Sequence, residues 1–180
     1  MMKVKKTDFK DLFILEPKLH LDTRGFFKET YNEKVLNEMV SYDLKFCQDN
    51  LVKSSKNVLR GLHFQKFNYA QSKLIQVISG KIIDVVVDLR PNSNSYLKYF
   101  KIELSAENSL LLFIPKGFAH GYLSLADETI VHYKVDEFYN ASFEDGINFR
   151  DPKLNIDWEI NFDNLIISEK DKNLKFFNEN

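Results

Sequence analysis

The sequence predicts an all-β fold, a jelly-roll sandwich or barrel. Three observations predict it. Ten short segments either alternate apolar and polar residues or run apolar with Val, Ile and Phe. Turn signals such as Ser79-Gly80-Lys81 and Pro91-Asn92-Ser93-Asn94 separate them. Only one short stretch reads clearly as a helix.

In chain order the expected strands are Leu12–Leu15, Phe26–Tyr31, Lys45–Val52, Val58–Gln65, Leu74–Ile78, Ile82–Leu89, Tyr99–Leu104, Leu110–Ile114, Tyr122–Leu125 and Thr129–Val135. Asn32 is a good N-cap, and Glu33–Val40 behind it reads as a helix. From about Asn164 alternating charges suggest a short helix, with a frayed tail from about 172. No repeat, linker or low-complexity stretch interrupts the chain, so residues 1–180 are expected to form one domain.

Composition narrows the function classes. Lys plus Arg is 25 and Asp plus Glu is 26, a net charge of −1. A nucleic-acid binder working by bulk charge is usually far more basic. A polybasic membrane module is disfavoured for the same reason. The start carries charge without a following apolar stretch, which does not read as a secretory signal. The single cysteine, Cys47, excludes an internal disulfide. A cytoplasmic location is expected.

Two clusters carry possible chemistry. In Arg60-Gly61-Leu62-His63-Phe64-Gln65, strict alternation puts Arg60, Leu62 and Phe64 on one face and Gly61, His63 and Gln65 on the other. In Ile114-Pro115-Lys116-Gly117-Phe118-Ala119-His120-Gly121, Pro and two Gly favour a sharp turn with His120 just after it. Either cluster alone is equally a structural strand or turn. Together they resemble the two signature motifs of the cupins, a jelly-roll superfamily. Metal-binding cupins carry His-x-His and a nearby Glu, whereas this chain has one imidazole in His63-Phe64-Gln65 and Lys73 beyond it. Two histidines without a third ligand make a poor divalent site, so no metal and no cofactor are expected.

A pocket with His, Lys, Tyr and Asp suits proton transfer beside a ketone. Histidine is a base poised near neutrality. Lys73 would face the enolate oxygen, and Tyr133 would return a proton from the other side.

The chain resembles the dTDP-4-dehydrorhamnose 3,5-epimerase family from about Leu15 to Asp171. The resemblance rests on ordered blocks: Asp22 to Glu29, Gln48-Asp49-Asn50, Asn57 to Gln65, Gln71-Ser72-Lys73-Leu74, and Gly80 to Arg90. It continues through Ser93 to Tyr96, Ile114 to Gly121, Tyr133-Lys134 with Tyr139, Asp151-Pro152 with Trp158, and Ser168 to Asp171. It implies a cofactor-free enzyme that inverts C3 and C5 of a nucleotide-linked 4-keto-6-deoxyhexose. His63 matches the base, Asp171 its carboxylate partner, Tyr133 the acid and Lys73 the group at the ketone oxygen. Arg60 matches a diphosphate ligand, and Tyr139 the aromatic stacked on the thymine. Arg24, Phe27, Glu29, Gln48, Asn50, His120, Glu144 and Lys170 match further substrate-binding positions. The resemblance also implies a homodimer that exchanges N-terminal strands, with Arg24 and Glu29 serving the partner's site.

Other readings stay open at this point. They include a single-centre epimerase, another nucleotide on the sugar, a sugar nucleotide 3,4-ketoisomerase, and a cupin that only binds. Asp84 competes with Asp171 as the partner of His63. The chain also departs from the family pattern. Leu51-Val52 stands where His-Ser is common, Phe149-Arg150 where Trp-Asn is, and Trp158-Glu159 where Trp-Pro is.

Overall fold

The computed structural model describes residues 2–177. At the N-terminus β1 (Lys3–Lys6) pairs with β2 (Phe13–Glu16), and β3 (His20–Asp22) pairs with β4 (Gly25–Phe27) in a separate ribbon. Helix α1 (Glu33–Asn37) follows, with Asn32 Oδ1 accepting from the Val35 amide at 3.3 Å. Then come β5 (Gln48–Ser54), β6 (Leu59–Gln65), β7 (Lys73–Ser79), β8 (Lys81–Asp88) and β9 (Tyr99–Ser105). The chain closes with β10 (Leu111–Ile114), β11 (Phe118–Ser124), β12 (Thr129–Val135), β13 (Glu144–Gly146) and α2 (Glu169–Lys172).

Two antiparallel sheets face each other. One is ordered β1-β2-β10-β7-β12-β5 and the other β13-β6-β11-β8-β9. This is the expected all-β jelly roll. Apolar side chains fill the space between the sheets: Ile75, Val77, Leu112 and Val131 from one, Ile82, Val86, Phe118 and Tyr122 from the other. The outer faces are covered as well. Leu36 of α1 and Leu44 pack on Phe13, Leu74 and Phe113. The C-terminal segment lays Phe149, Leu154 and Trp158 against Leu59, Ile83, Val85 and Leu123. Covering both faces explains why β8 reads Ile-Ile-Asp-Val-Val-Val-Asp, a nearly continuous apolar run. Lys172 and Leu174 accept from Asn148 Nδ2, and Phe177 packs on the outer cluster. Among the described residues no helix is long and apolar enough to cross a membrane.

Several element boundaries differ from the sequence reading. β1, β3 and β13 were not expected; they are short, exposed or broken by glycine. The strand expected over Phe26–Tyr31 stops at Phe27, because β3 offers only three residues to pair with. The helix expected to Val40 ends at Asn37. The strand expected over Lys45–Val52 runs instead over Gln48–Ser54. The turn near Pro115 is tighter than expected and is complete by Gly117. Gly117 has φ +89°, and a Cβ there would lie 2.6 Å from Arg90 Cγ. Phe118–Gly121 is therefore the first half of β11, and His120 sits inside a strand.

Candidate active site

One irregularity in β6 assembles the site. His63 pairs with His120 and Arg60 with Tyr122, so three steps along β6 match two along β11. This β-bulge corrects the simple alternation, which set Arg60 and His63 on opposite faces. Both now face the space between the sheets, while Leu59 and Leu62 pack outward. Glycine permits it. Gly61 has φ +114°, and a Cβ on it would stand 2.6 Å from Gly121 Cα. A Cβ on Gly121 would meet the Arg60 carbonyl at 2.7 Å.

Opposite, regular alternation suffices. Gln48, Asn50 and Val52 of β5, Lys73 of β7 and Tyr133 of β12 line the same space. Two adjoining chambers of about 270 and 300 Å³ share His63, Lys73 and Tyr133. The first is bounded by Gln48, Asn50, Tyr139 and Glu144. The second is bounded by Arg60, His120, Lys170 and Asp171.

The open choice of carboxylate is answered by geometry. His63 Nε2 lies 2.8 Å from Asp171 Oδ1, and the Gly61 amide donates to Asp171 Oδ2 at 3.1 Å. Asp84 does not reach His63; its Oδ2 lies 2.9 Å from His120 Nε2. Ser168 caps α2 by accepting from the Asp171 amide, which fixes the carboxylate at the cavity wall. Burial alone would raise the Asp171 carboxyl, but the His63 ring and the Gly61 amide outweigh it and hold it below the usual carboxylate range.

Lys73 makes no hydrogen bond or ion pair with another described residue. Burial pushes its ammonium down to about 8, against the pull of Asp84 and Glu144. Tyr133 likewise has no hydrogen-bond partner for its hydroxyl among the described residues. Burial raises it, helped by Tyr122 and opposed by Arg60. Arg60 is anchored by its Nε donating to Ser54 Oγ at 3.2 Å. Glu144 organises the first chamber: Tyr139 donates to it at 2.8 Å and Lys170 pairs with it at 2.6 Å. Gln48 Nε2 donates to Asn50 Oδ1 at 2.8 Å, and Gln48 Oε1 accepts from the Tyr139 amide at 3.3 Å. Among the described residues no group of three His, Cys, Asp or Glu side chains is placed to hold a metal ion.

The family model described as dTDP-4-dehydrorhamnose 3,5-epimerase matches residues 6–179. The chain belongs to the dTDP-4-dehydrorhamnose 3,5-epimerase family. A relative of that name from Methanothermobacter thermautotrophicus is 48% identical over 97% of this chain and 94% of its own. The crystal structure of a 3,5-epimerase from Elizabethkingia anophelis superposes with a TM-score of 0.94 at 47% identity, covering 98% of this chain and 96% of that one. An epimerase from Legionella pneumophila, solved with dTDP-4-keto-L-rhamnose, gives 0.93 at 38% identity over 98% and 93%.

Eleven of the residues that the resemblance to this epimerase family singled out come together here: Gln48, Asn50, Arg60, His63, Lys73, His120, Tyr133, Tyr139, Glu144, Lys170 and Asp171. Arg24, Phe27 and Glu29 do not join them. They are exposed on or beside the β3–β4 ribbon, and among the described residues Arg24 pairs with Asp22, at 2.6 Å. Gln71, Val52, Tyr122 and Ser168 also line the chambers and were not singled out. Gln71 was legible, since it opens the block that contains Lys73. Of the Leu51-Val52 pair, only Val52 faces the cavity; Leu51 is 67% exposed on the outer side of β5.

Proposed function

We propose that this chain is an isomerase that converts dTDP-4-dehydro-6-deoxy-D-glucose to dTDP-4-dehydro-L-rhamnose by inverting C3 and C5. The observation that carries the mechanism is the placement of base and acid on facing sheets. His63 stands on β6, while Tyr133 and Lys73 stand on β12 and β7 across the cavity.

Asp171 accepts from His63 Nε2–H, which leaves the Nδ1 lone pair as the base. It removes the proton from the carbon beside the C4 ketone, and the C–H electron pair moves into the enolate. Lys73 stabilises the charge that develops on the C4 oxygen. Tyr133 then delivers its hydroxyl proton to the opposite face, and the configuration inverts. Imidazolium and tyrosinate are left, and solvent exchange resets both before the second centre reacts. Carbon acidity beside a ketone supplies the electron sink, so the step needs no electron carrier.

Arg60 and Lys170 hold the diphosphate, for which a guanidinium fork is well shaped. Gln48, Asn50, His120, Tyr139 and Glu144 bind the rest of the substrate, with Tyr139 against the base. Arg24, Phe27 and Glu29 lie away from their own cavity and complete the site of a second copy in a homodimer built by exchange of N-terminal strands. The relatives' names and the nucleotide-sugar complex of the Legionella pneumophila protein support this substrate class. We read the chain as one catalytic domain working in the cytoplasm, without a resident metal.

Two variants test the roles. His63→Ala is expected to lose exchange of substrate protons with deuterated water at both centres. Tyr133→Phe is expected to keep exchange but lose net inversion. Inversion by Tyr133→Phe at the parent rate would overturn the assignment of the acid.

A further inference from the structure

The inner face of β8 holds a carboxylate that this mechanism leaves idle. Asp84 points inward with Ile82 and Val86 and is 0% exposed. Its Oδ2 lies 2.9 Å from His120 Nε2, and its Oδ1 has no hydrogen-bond partner among the described residues. A buried carboxylate with one oxygen unpaired is costly, and an apolar residue would fill the place better if packing were all that mattered. The neighbourhood is the cavity itself. His120 lines the second chamber beside Lys73, and Asp84 is the leading opposite charge acting on Lys73.

We propose that Asp84 is a positioning residue for the epimerisation. Its Oδ2 fixes the His120 ring with Nε2–H inward and Nδ1 left for the substrate, and its free Oδ1 balances the Lys73 ammonium at the enolate oxygen. The idea rests on the reading of the cavity given above. It gives the site two carboxylate–imidazole pairs on adjacent strands, His63–Asp171 and His120–Asp84, joined by the register that sets His63 opposite His120. The first pair moves a proton. The second holds the polar wall behind it.

The test compares Asp84→Asn with the parent enzyme. Asparagine keeps the shape, removes the charge and can turn its amide toward the ring. We expect kcat to fall about 100-fold, as for a small misplacement of a catalytic group, while KM stays within about threefold. In a His120→Gln background the same change should cost less than about threefold further, because the pair acts as a unit. Asp84→Ser is measured beside it, so that the result does not depend on the folding of one variant. An unchanged kcat, a change in KM alone, or losses that simply multiply in the double variant would overturn the proposal. Retained exchange in His63→Ala would instead bring down the base assignment. An inactive His63→Ala with a fully active Asp84→Asn would remove only the role of Asp84.

Discussion

The ammonium of Lys73 gives the proposed site a pH dependence on the alkaline side. It is needed in its charged form, and burial brings it down to about 8. Turnover should therefore decline as pH rises through about 8, and a pH–rate profile checks this. Stability moves the other way. In the unfolded chain the same lysine titrates near 10.4, so between about 8 and 10.4 the unfolded state binds more protons. The Lys73 contribution to stability therefore rises over that window while activity falls. Comparing Lys73→Met with the parent in thermal melts at pH 7 and pH 9.5 isolates it: the parent should gain on the variant at the higher pH. Val52 is the other residue of consequence. It gives the second chamber an aliphatic wall, and its neighbour Leu51 leaves the cavity unchanged because it faces outward.

The β6–β11 ladder is the element on which the site depends. Gly61→Ala must fit a methyl 2.6 Å from a backbone atom and adopt φ +114°. We expect a loss on the order of 1–3 kcal/mol by denaturant titration, together with activity lost even in the folded fraction, because the bulge aims both Arg60 and His63. Parent-like stability and turnover in Gly61→Ala would contradict this. The same ladder shows what the sequence could and could not reveal. Inward positions on β5, β7, β8 and β12 follow period two and were legible, whereas the first half of β11 read as part of the turn at Pro115. The bulge was not legible, because one extra residue breaks that period without a local signal beyond Gly61. Asp171 was legible only by resemblance. Its charged surroundings read like a solvated tail, whereas the Ser168 cap and the Gly61 amide bury it to 4% exposure.

Across the whole molecule, apolar segments cover part of each outer face of the jelly roll, and Trp158 anchors one of those covers. It is 1% exposed, and its Nε1 donates to the Phe149 carbonyl at 3.0 Å. Trp158→Ala should cost about 3–5 kcal/mol in a denaturant titration. The β3–β4 ribbon behaves differently. Leu21, Phe26 and Phe27 are 78%, 60% and 69% exposed, an apolar strip that a lone chain would leave in water. The proposed homodimer with exchanged N-terminal strands would cover it and would bring Arg24 to the second site. Light scattering should give the mass of two chains, and replacing Phe26 and Phe27 by Ser should shift the mass toward one chain while weakening substrate binding. The ribbon was legible only in part: Phe26 and Phe27 fell within an expected strand, whereas β3 was not expected.

The central claim is proton transfer at both carbons flanking one ketone, with His63 as the base. Proton NMR of the enzyme with dTDP-4-dehydro-6-deoxy-D-glucose in deuterated water tests it most directly. The C3 and C5 proton signals should both disappear with the parent enzyme and both persist with His63→Ala. Loss of one signal alone, or loss of both with His63→Ala, would contradict the account.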